Sequence, residues 1–257
     1  MKQYFWFEPY SYDFWPLYDA IKIYYPVGIR FSQPYLYHEY EGQKKLGALI
    51  VDNFHNQENF QERCVDFTDQ LQLQFGLEVQ GTTYGQQPAF SFDLILENTE
   101  MQGLIKVKKL SAAISLLGDF YAIYGIDETI MVDEGKPYPK QYHAINALTV
   151  SPFKEFELPF LALKKAIQDR YPLHKQVPFN VLTMYLEGLY NKYDETNESM
   201  IYNALFDQKL SHNYYHQQRG DSSYGREEWL KEGVDLSEMK SIEVIVMPPP
   251  PPSGIGN

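Results

Sequence analysis

Two histidines, His212 and His216, come nearest in type and spacing to a metal site. A separation of four residues would place both imidazoles on one face of a helix, as a transition metal requires. The candidates for a third ligand are Asp207, Asp221 and Glu198. However, the pattern lacks the glutamate of the metalloprotease motif and lies among loop-forming residues. Solvated histidines are therefore the favoured interpretation, and we expect no metal or other cofactor.

The sequence shows none of the common catalytic signatures. It contains no glycine-rich dinucleotide fingerprint, no P-loop and no Gly-x-Ser-x-Gly elbow. Cys64, the only cysteine, falls on an apolar helical stripe, so a small buried side chain is expected there. Two carboxylates for glycoside hydrolysis need only meet in space, and 34 acidic residues make that option uninformative. We expect a non-enzymatic protein; the alternative is a hydrolase that uses carboxylates, with or without a His-bound metal.

An acidic segment with tyrosines is the strongest candidate for binding a partner. Residues 119–134 contain five acids and no lysine or arginine. Acids beside tyrosines could attract a basic protein and hold it through aromatic contacts. The other interpretation, a solvated loop that serves solubility, is slightly favoured, because charge runs usually have no further role. The predicted partner-binding residues are Asp119, Tyr121, Tyr124, Asp127, Glu128, Asp133 and Glu134.

The charge of the chain favours a basic partner. The formal net charge is −12, and residues 61–135 alone contain twelve acids and four bases. Such an excess disfavours nucleic acids and anionic membranes, because phosphate binding depends on lysine and arginine. We therefore expect the chain to bind another protein; one concrete form is an immunity-type inhibitor of a basic toxin or enzyme. The sequence does not indicate an oligomeric state.

Aromatic residues are concentrated at the start of the chain, with fifteen in residues 1–40. They suggest either a packed cap over the core or a stacking platform for a ligand. The cap is favoured, because aromatic side chains supply so much buried area. A carbohydrate-binding module built on Trp6, Trp15 and neighbouring tyrosines is the second alternative for function.

The sequence also bears on the cellular compartment in which the protein is expected. The first nine residues meet Glu8 and a run of aromatics instead of the aliphatic core of a signal peptide. No apolar stretch is long enough to cross a bilayer. We therefore expect a soluble, cytoplasmic protein.

The stretch Ala-Leu-x-Val-x-x-Phe occurs twice, at residues 48–54 and 147–153. Each copy is followed by the apolar spacing of a helix and then by the period-two pattern of a strand. The helix patterns cover residues 57–75 and 156–171, and the strand patterns cover residues 90–97 and 178–187. This predicts an α+β fold of two similar strand–helix–strand halves, with a mostly antiparallel sheet packed on helices. An internal duplication is one interpretation, and chance likeness of amphipathic segments is the other.

The remaining patterns complete the predicted organisation. Residues 47–52 indicate a strand buried on both faces, and residues 21–25 indicate a strand unless residues 15–23 form a helix. Further strands are predicted at residues 2–7, 104–110, 120–126, 200–206 and 242–247, and a short helix at residues 226–232. The predicted units are an aromatic-rich segment (1–45), a first α+β half (46–135), a second half (143–206), a polar excursion with the last strand (207–247) and a flexible proline-rich tail (248–257).

Overall fold

The structure, a computed structural model, describes residues 2–6, 11–30, 32–101, 103–133, 140–190, 198–210 and 217–234. Several predictions lie outside these ranges. They concern Glu134, the side chain of Asp133, the histidines His212 and His216, the strand at residues 242–247 and the tail at residues 248–257.

One mixed, mostly antiparallel sheet of seven strands runs through the protein. The strands are β1 (Val79–Gly81), β2 (Ala89–Met101), β3 (Leu104–Ser115), β4 (Phe120–Asp133), β5 (Lys140–Thr149), β6 (Lys175–Gln176) and β7 (Gln218–Arg219). From β1 to β5, each strand pairs antiparallel with the next in sequence. The short β6 and β7 pair parallel with β4 and β5. The strands predicted at residues 90–97, 104–110 and 120–126 are therefore confirmed, as parts of β2, β3 and β4.

Helices cover both faces of this sheet. The α-helices of the described ranges are α1 (Trp15–Tyr24), α2 (Pro34–Glu39), α3 (Glu41–Ile50), α4 (Gln57–Phe60), α5 (Asp66–Phe75), α6 (Glu157–Arg170), α7 (Phe179–Leu182) and α8 (Ile201–Leu205). Five-residue π-helical turns follow α3 (Val51–His55) and join α4 to α5 (Gln61–Val65), and 3-10 turns lie at Lys154–Phe156 and Arg226–Trp229. None of the helices in the described ranges is long and apolar enough to span a membrane.

Two hydrophobic cores lie on opposite sides of the sheet. On one side, Leu17 of α1 packs in a cluster with Ala113 and Ala122 of the sheet. On the other side, Phe160 of α6 packs in a cluster with Phe92 of β2. Alternate residues of a strand point to opposite faces, so β2, β3 and β4 each contribute to both clusters. We call these sides the α1 face and the α6 face.

The helix predicted at residues 57–75 is confirmed, as α4, a π-helical turn and α5. It begins at Asn56, whose side chain accepts hydrogen bonds from the amides of Glu58 and Asn59, and ends at Gly76 with φ of 62°. The second helix is confirmed as α6, which begins at Glu157 with Pro159 in its first turn. Both helices could be predicted from the sequence, because an apolar stripe with helical spacing over this length can be buried on one side only when the chain forms a helix.

The strand predicted at residues 47–52 is wrong, because these residues form the end of α3 and a π-helical turn. A short apolar run fits a strand or a helix equally well. Here it is not buried on both faces: Leu49 and Ile50 pack against the α1-face core, whereas Val51 is 56% exposed. Helical spacing allows this one-sided burial. In addition, the side-chain amide of Asn53 donates a hydrogen bond to the backbone carbonyl of Leu49, one turn earlier, at 2.8 Å.

The strands predicted at residues 178–187 and 200–206 are also wrong. The first stretch contains α7 and an isolated bridge at Tyr185, and the second is α8. Both apolar runs are buried in the α1-face core, with neighbouring residues buried alike. A run that is buried all round has no alternation of apolar and polar residues by which a helix could be told from a strand. The strand at residues 21–25 is likewise replaced by the helical alternative, α1. Within residues 2–6, Tyr4 forms only an isolated bridge.

The two copies of Ala-Leu-x-Val-x-x-Phe consequently differ in structure. The first lies in a helix, whereas Ala147–Thr149 of the second ends β5. An internal duplication is therefore not shown. The α+β class and the mostly antiparallel sheet with helices are confirmed.

The helices cover only one half of the long strands. In β2 the first seven residues are buried and the last five are exposed, and in β5 exposure again dominates from Lys140 to Asn146. At about 3.3 Å per residue, this leaves roughly 15–20 Å of sheet beyond the helices. We call residues 97–101, 103–108, 127–133 and 140–146 the projecting sheet.

Candidate functional site

A buried ion-pair network lies where the projecting sheet leaves the helices. The Lys109 ammonium group in β3 contacts the Asp93 carboxylate of β2 at 3.2 Å and the Glu128 carboxylate of β4 at 2.9 Å. The Ser111 hydroxyl donates to Asp93 at 2.7 Å, and His143 of β5 lies 3.2 Å from Glu128. Four adjacent strands are thus joined on the α1 face. We call Asp93, Lys109, Glu128 and His143 the root network.

Burial makes these contacts important to the fold. The side chains of Asp93 and Glu128 are 7% and 6% exposed, and that of Lys109 is 19% exposed. Burial by itself would lower the pKa of Lys109, but the two carboxylates outweigh it and raise that pKa above its usual value. The lysine therefore stays charged, and each carboxylate has a cation beside it in a site with little water.

A second polar group, beside the root network, is contributed by α8 and the residues after it. The Tyr202 hydroxyl donates to Asp207 Oδ1 at 2.7 Å and lies 3.1 Å from the hydroxyl of Tyr124. The Lys209 amide also donates to Asp207 Oδ1, at 2.9 Å, and its ammonium lies 3.9 Å from Asp93. Asp207 Oδ2 is buried and has no hydrogen-bond partner among the residues that the structure describes. Burial raises the pKa of Asp207 and lowers that of Lys209.

The raised pKa of Asp207 predicts a pH effect on stability. The folded protein takes up a proton at Asp207 at a higher pH than the unfolded chain does, whose value is near 3.8. The cost of burying this charge is therefore present at neutral pH and is relieved as the pH falls through the folded pKa. We expect wild type to gain stability relative to Asp207→Asn between pH 7 and about pH 4.

Urea unfolding of both proteins across this pH range measures the difference directly. Other carboxylates titrate in the same window, but their effect is common to both proteins and cancels in the comparison. Parallel stability curves for wild type and Asp207→Asn would show that Asp207 is ionised with an ordinary pKa.

The end of the projecting sheet carries a row of exposed apolar side chains. Met101, Leu104, Met131 and Tyr142 are direct cross-strand neighbours on β2, β3, β4 and β5. Directly opposed residues of antiparallel strands share a face and lie about 5 Å apart. Their exposures are 59%, 40%, 47% and 48%. We call this set the tip row; it lies on the α6 face, because β3 alternates without a bulge from Leu104 to Leu110 of the α6-face core.

Polar side chains separate the tip row from the helices. The next row towards the core contains Lys106, and the one after it contains an ion pair between Lys108 and Glu97 at 2.8 Å. Asn146 donates to the Asp127 carboxylate at 2.9 Å on the same face. The tip row is therefore an isolated apolar strip at the far end of the sheet, and it is not a continuation of the core.

The structure does not bring the seven predicted partner-binding residues onto one surface. Tyr121 points into the α6-face core and Tyr124 into the α1-face core, and both are at most 2% exposed. Glu128 is buried in the root network. Asp119 and Asp127 are accessible but point to different surroundings, His174 and Asn146. Asp133 ends β4, and Glu134 lies outside the described residues.

The described residues add little support for the two alternative functions, a carbohydrate-binding module and a hydrolase. Trp6 and Trp15 are 55% and 47% exposed, and Trp15 packs edge-on against Tyr18. Cys64 is buried in the α6-face core, as expected of a small apolar side chain. In the described ranges, no group of three or more His, Cys, Asp or Glu side chains is arranged to hold a metal ion.

Sequence reasoning missed both the root network and the tip row, although each left a signal. Lys108 and Lys109 are adjacent in a strand, and alternation must send one of them to each face of the sheet. Because helices pack on both faces of the sheet, a lysine at this position can be buried, and a buried lysine needs an acid beside it. Met101 and Leu104 flank the turn of a hairpin, where polar residues are expected, and this marks an exposed apolar position.

Comparisons with protein-family models, with curated proteins and with solved structures find no match for this chain.

Proposed function

We propose that this protein acts by binding another protein, and that the tip row is the centre of the contact. The carrying observation is the exposure of four apolar side chains side by side on one face of the projecting sheet. A few central apolar or aromatic residues with a polar surround supply most of the energy of typical protein interfaces. Methionine and tyrosine, both present here, suit such contacts, because methionine adapts its shape and tyrosine combines an apolar ring with a hydroxyl.

Rigidity of the sheet supports this function. The tip row needs no rearrangement to present its side chains, because the strands are paired along their length and are joined at the base by the root network. A preorganised surface loses less conformational entropy on binding than a loop of the same composition. The long strands therefore serve as a fixed support that holds the contact residues away from the helices.

Charge favours a basic partner. The projecting sheet has five acidic and three basic residues, and the whole chain has a net charge of −12. This field speeds the approach of a cationic protein, whereas the apolar row slows its release. An inhibitor of a basic toxin or basic enzyme is one concrete form of the proposal, in which the tip row enters an apolar depression of the target.

We expect the double variant Leu104→Lys/Met131→Lys to bind its partner at least tenfold more weakly than wild type. Loss of two apolar contacts costs about 1–3 kcal/mol each at a buried interface, and the added lysines repel a basic surface. Both positions are exposed, so the free energy of unfolding should change by less than about 1 kcal/mol. Leu73→Lys is the matched control, since Leu73 is 87% exposed on α5, away from the projecting sheet.

The test has two stages. Affinity purification with quantitative mass spectrometry first compares wild type, the double variant and the Leu73→Lys control; calorimetry then measures the purified partner against all three at several salt concentrations. A partner retained by the control, lost by the double variant and bound more weakly at high salt agrees with the proposal. A partner held equally by all three proteins contradicts the role of the tip row, and self-association lost only in the double variant would replace the basic partner by a second copy.

A further inference from the structure

We propose that a pocket at the opposite end of the sheet binds a small organic anion with an apolar body. The pocket has a volume of about 400 Å³ and lies between three segments: the π-helical turn before α5, the β3–β4 turn and the end of α6. Its size falls within the range of small-molecule sites, about 300–1,000 Å³. The chemistry of its lining residues defines the class of ligand, and this site is independent of the tip row.

The base of the pocket is apolar. Phe90 and Ile114, which are 4% and 2% exposed, line it together with Leu116. The rings of Tyr171 and His174 form an adjoining wall, with their centroids 5.0 Å apart. An aromatic or short aliphatic group would replace water against this base and pack beside the two rings.

Two arginines supply positive charge at the same pocket. The Arg63 guanidinium donates to the side-chain oxygen of Asn53 at 3.0 Å, and the Arg170 guanidinium donates to the Glu62 carbonyl at 3.1 Å. Each contact uses one of the five N–H groups of a guanidinium and holds it in position. The remaining donors suit the paired oxygens of a carboxylate or a phosphate, which arginine binds in bidentate fashion.

The pocket also contains two acids, and one of them, Glu62, pairs loosely with Arg170. The Glu62 carboxylate lies 4.0 Å from Arg170, beyond hydrogen-bonding distance, and its side chain is 75% exposed. Asp119 is 62% exposed and lies 3.7 Å from His174. No carboxylate of the described residues lies within 4 Å of the Arg63 guanidinium. Both acids are more exposed than Arg170, whose side chain is 39% exposed, so water weakens their repulsion of an anion more than it weakens the attraction to that arginine.

His174 adds a neutral polar group. Its side chain is 15% exposed, and burial lowers its pKa despite the opposing effect of Asp119. At neutral pH its imidazole is therefore uncharged and can donate or accept one hydrogen bond at the wall of the pocket. The ligand class is an anion with one carboxylate or phosphate head and an apolar body about the size of a phenyl ring.

The experiment uses titration calorimetry of the whole chain with phenylacetate and with phenyl phosphate, which separate a carboxylate from a phosphate head. Neutral 2-phenylethanol tests the need for charge, and inorganic phosphate tests the need for the apolar body. The variants are Arg63→Gln, Arg170→Gln and the double variant, with Arg219→Gln as the matched control. Arg219 is 41% exposed and pairs only loosely with Glu155, at 3.9 Å, outside the pocket.

We expect one of the two phenyl anions to bind at least tenfold more tightly than 2-phenylethanol and than inorganic phosphate. Each arginine variant should weaken this binding about tenfold, as expected for loss of a charge-assisted hydrogen bond, and Arg219→Gln should change it less than twofold. Arg63→Gln keeps the test valid if Arg170→Gln lowers stability, because Arg63 is exposed. The proposal is overturned if neither anion saturates the protein below about 1 mM, or if the double variant binds as wild type does.

Discussion

Lys109→Met is expected to lower the free energy of unfolding by about 3–5 kcal/mol, the typical cost of breaking a buried ion pair from one side. The substitution keeps much of the side-chain volume but removes the charge that Asp93 and Glu128 share. The two carboxylates are then buried close to each other without the cation between them, and the contacts that remain in the described residues are those with Ser111, His143 and the more distant Lys209.

Lys108→Met is the matched control, since the neighbouring lysine points to the other face. It pairs with Glu97 at 2.8 Å, but both side chains are partly exposed, at 31% and 46%. Such a pair contributes about 0–1 kcal/mol. Urea unfolding at neutral pH measures both variants. Equal effects of the two substitutions would mean that the root network does not stabilise the sheet.

Trp229→Ala is expected to destabilise the protein by about 3–5 kcal/mol, in the range of large-to-small substitutions in a core. Trp229 is 1% exposed, with its ring centroid 5.4 Å from that of Phe14 and 5.9 Å from that of Phe120. Its indole N–H donates to the Gln176 carbonyl at 2.7 Å. One side chain thus connects the 3-10 turn Arg226–Trp229 with the residue before α1, with β4 and with β6.

Two further tryptophan variants separate packing from hydrogen bonding. Trp229→Phe keeps most of the apolar area but leaves the Gln176 carbonyl without its donor, and should cost about 1–3 kcal/mol. Trp6→Ala removes a ring that is 55% exposed and should cost less than about 1 kcal/mol. Thermal and urea unfolding rank the three proteins. A Trp229→Ala protein as stable as Trp6→Ala would contradict the stabilising role of Trp229 in the core.

The two stability variants also connect the fold to the proposed function. Lys109 lies at the base of the projecting sheet, whereas Trp229 lies in the helix-covered core. Under conditions where both variants remain folded, Lys109→Met should weaken partner binding more than an equally destabilising change at Trp229. The physical reason is that the root network fixes the strands that present the tip row.

Patterns carried by neighbouring residues were predictable. The helix at residues 57–75 and the β2–β3 hairpin follow from local spacing, because each buries one stripe or one face. Residues 47–52 and 200–206 were misassigned because apolar runs of this length have no distinct period. Their helical form depends on which neighbours cover them, and that information is not in the run itself.

The sequence by itself determined the acidic balance of the chain, the amphipathic helices at residues 57–75 and 156–171, the strands of the β2–β3 hairpin and the α+β class. Only the tertiary structure decided that Lys109 meets Asp93 and Glu128, that Tyr121 and Tyr124 enter opposite cores, and that the four tip-row residues align. These contacts depend on strand register and on the cover of each face. A shift of one residue would send every side chain of a strand to the other side, so register, fixed by the whole fold, selects the site.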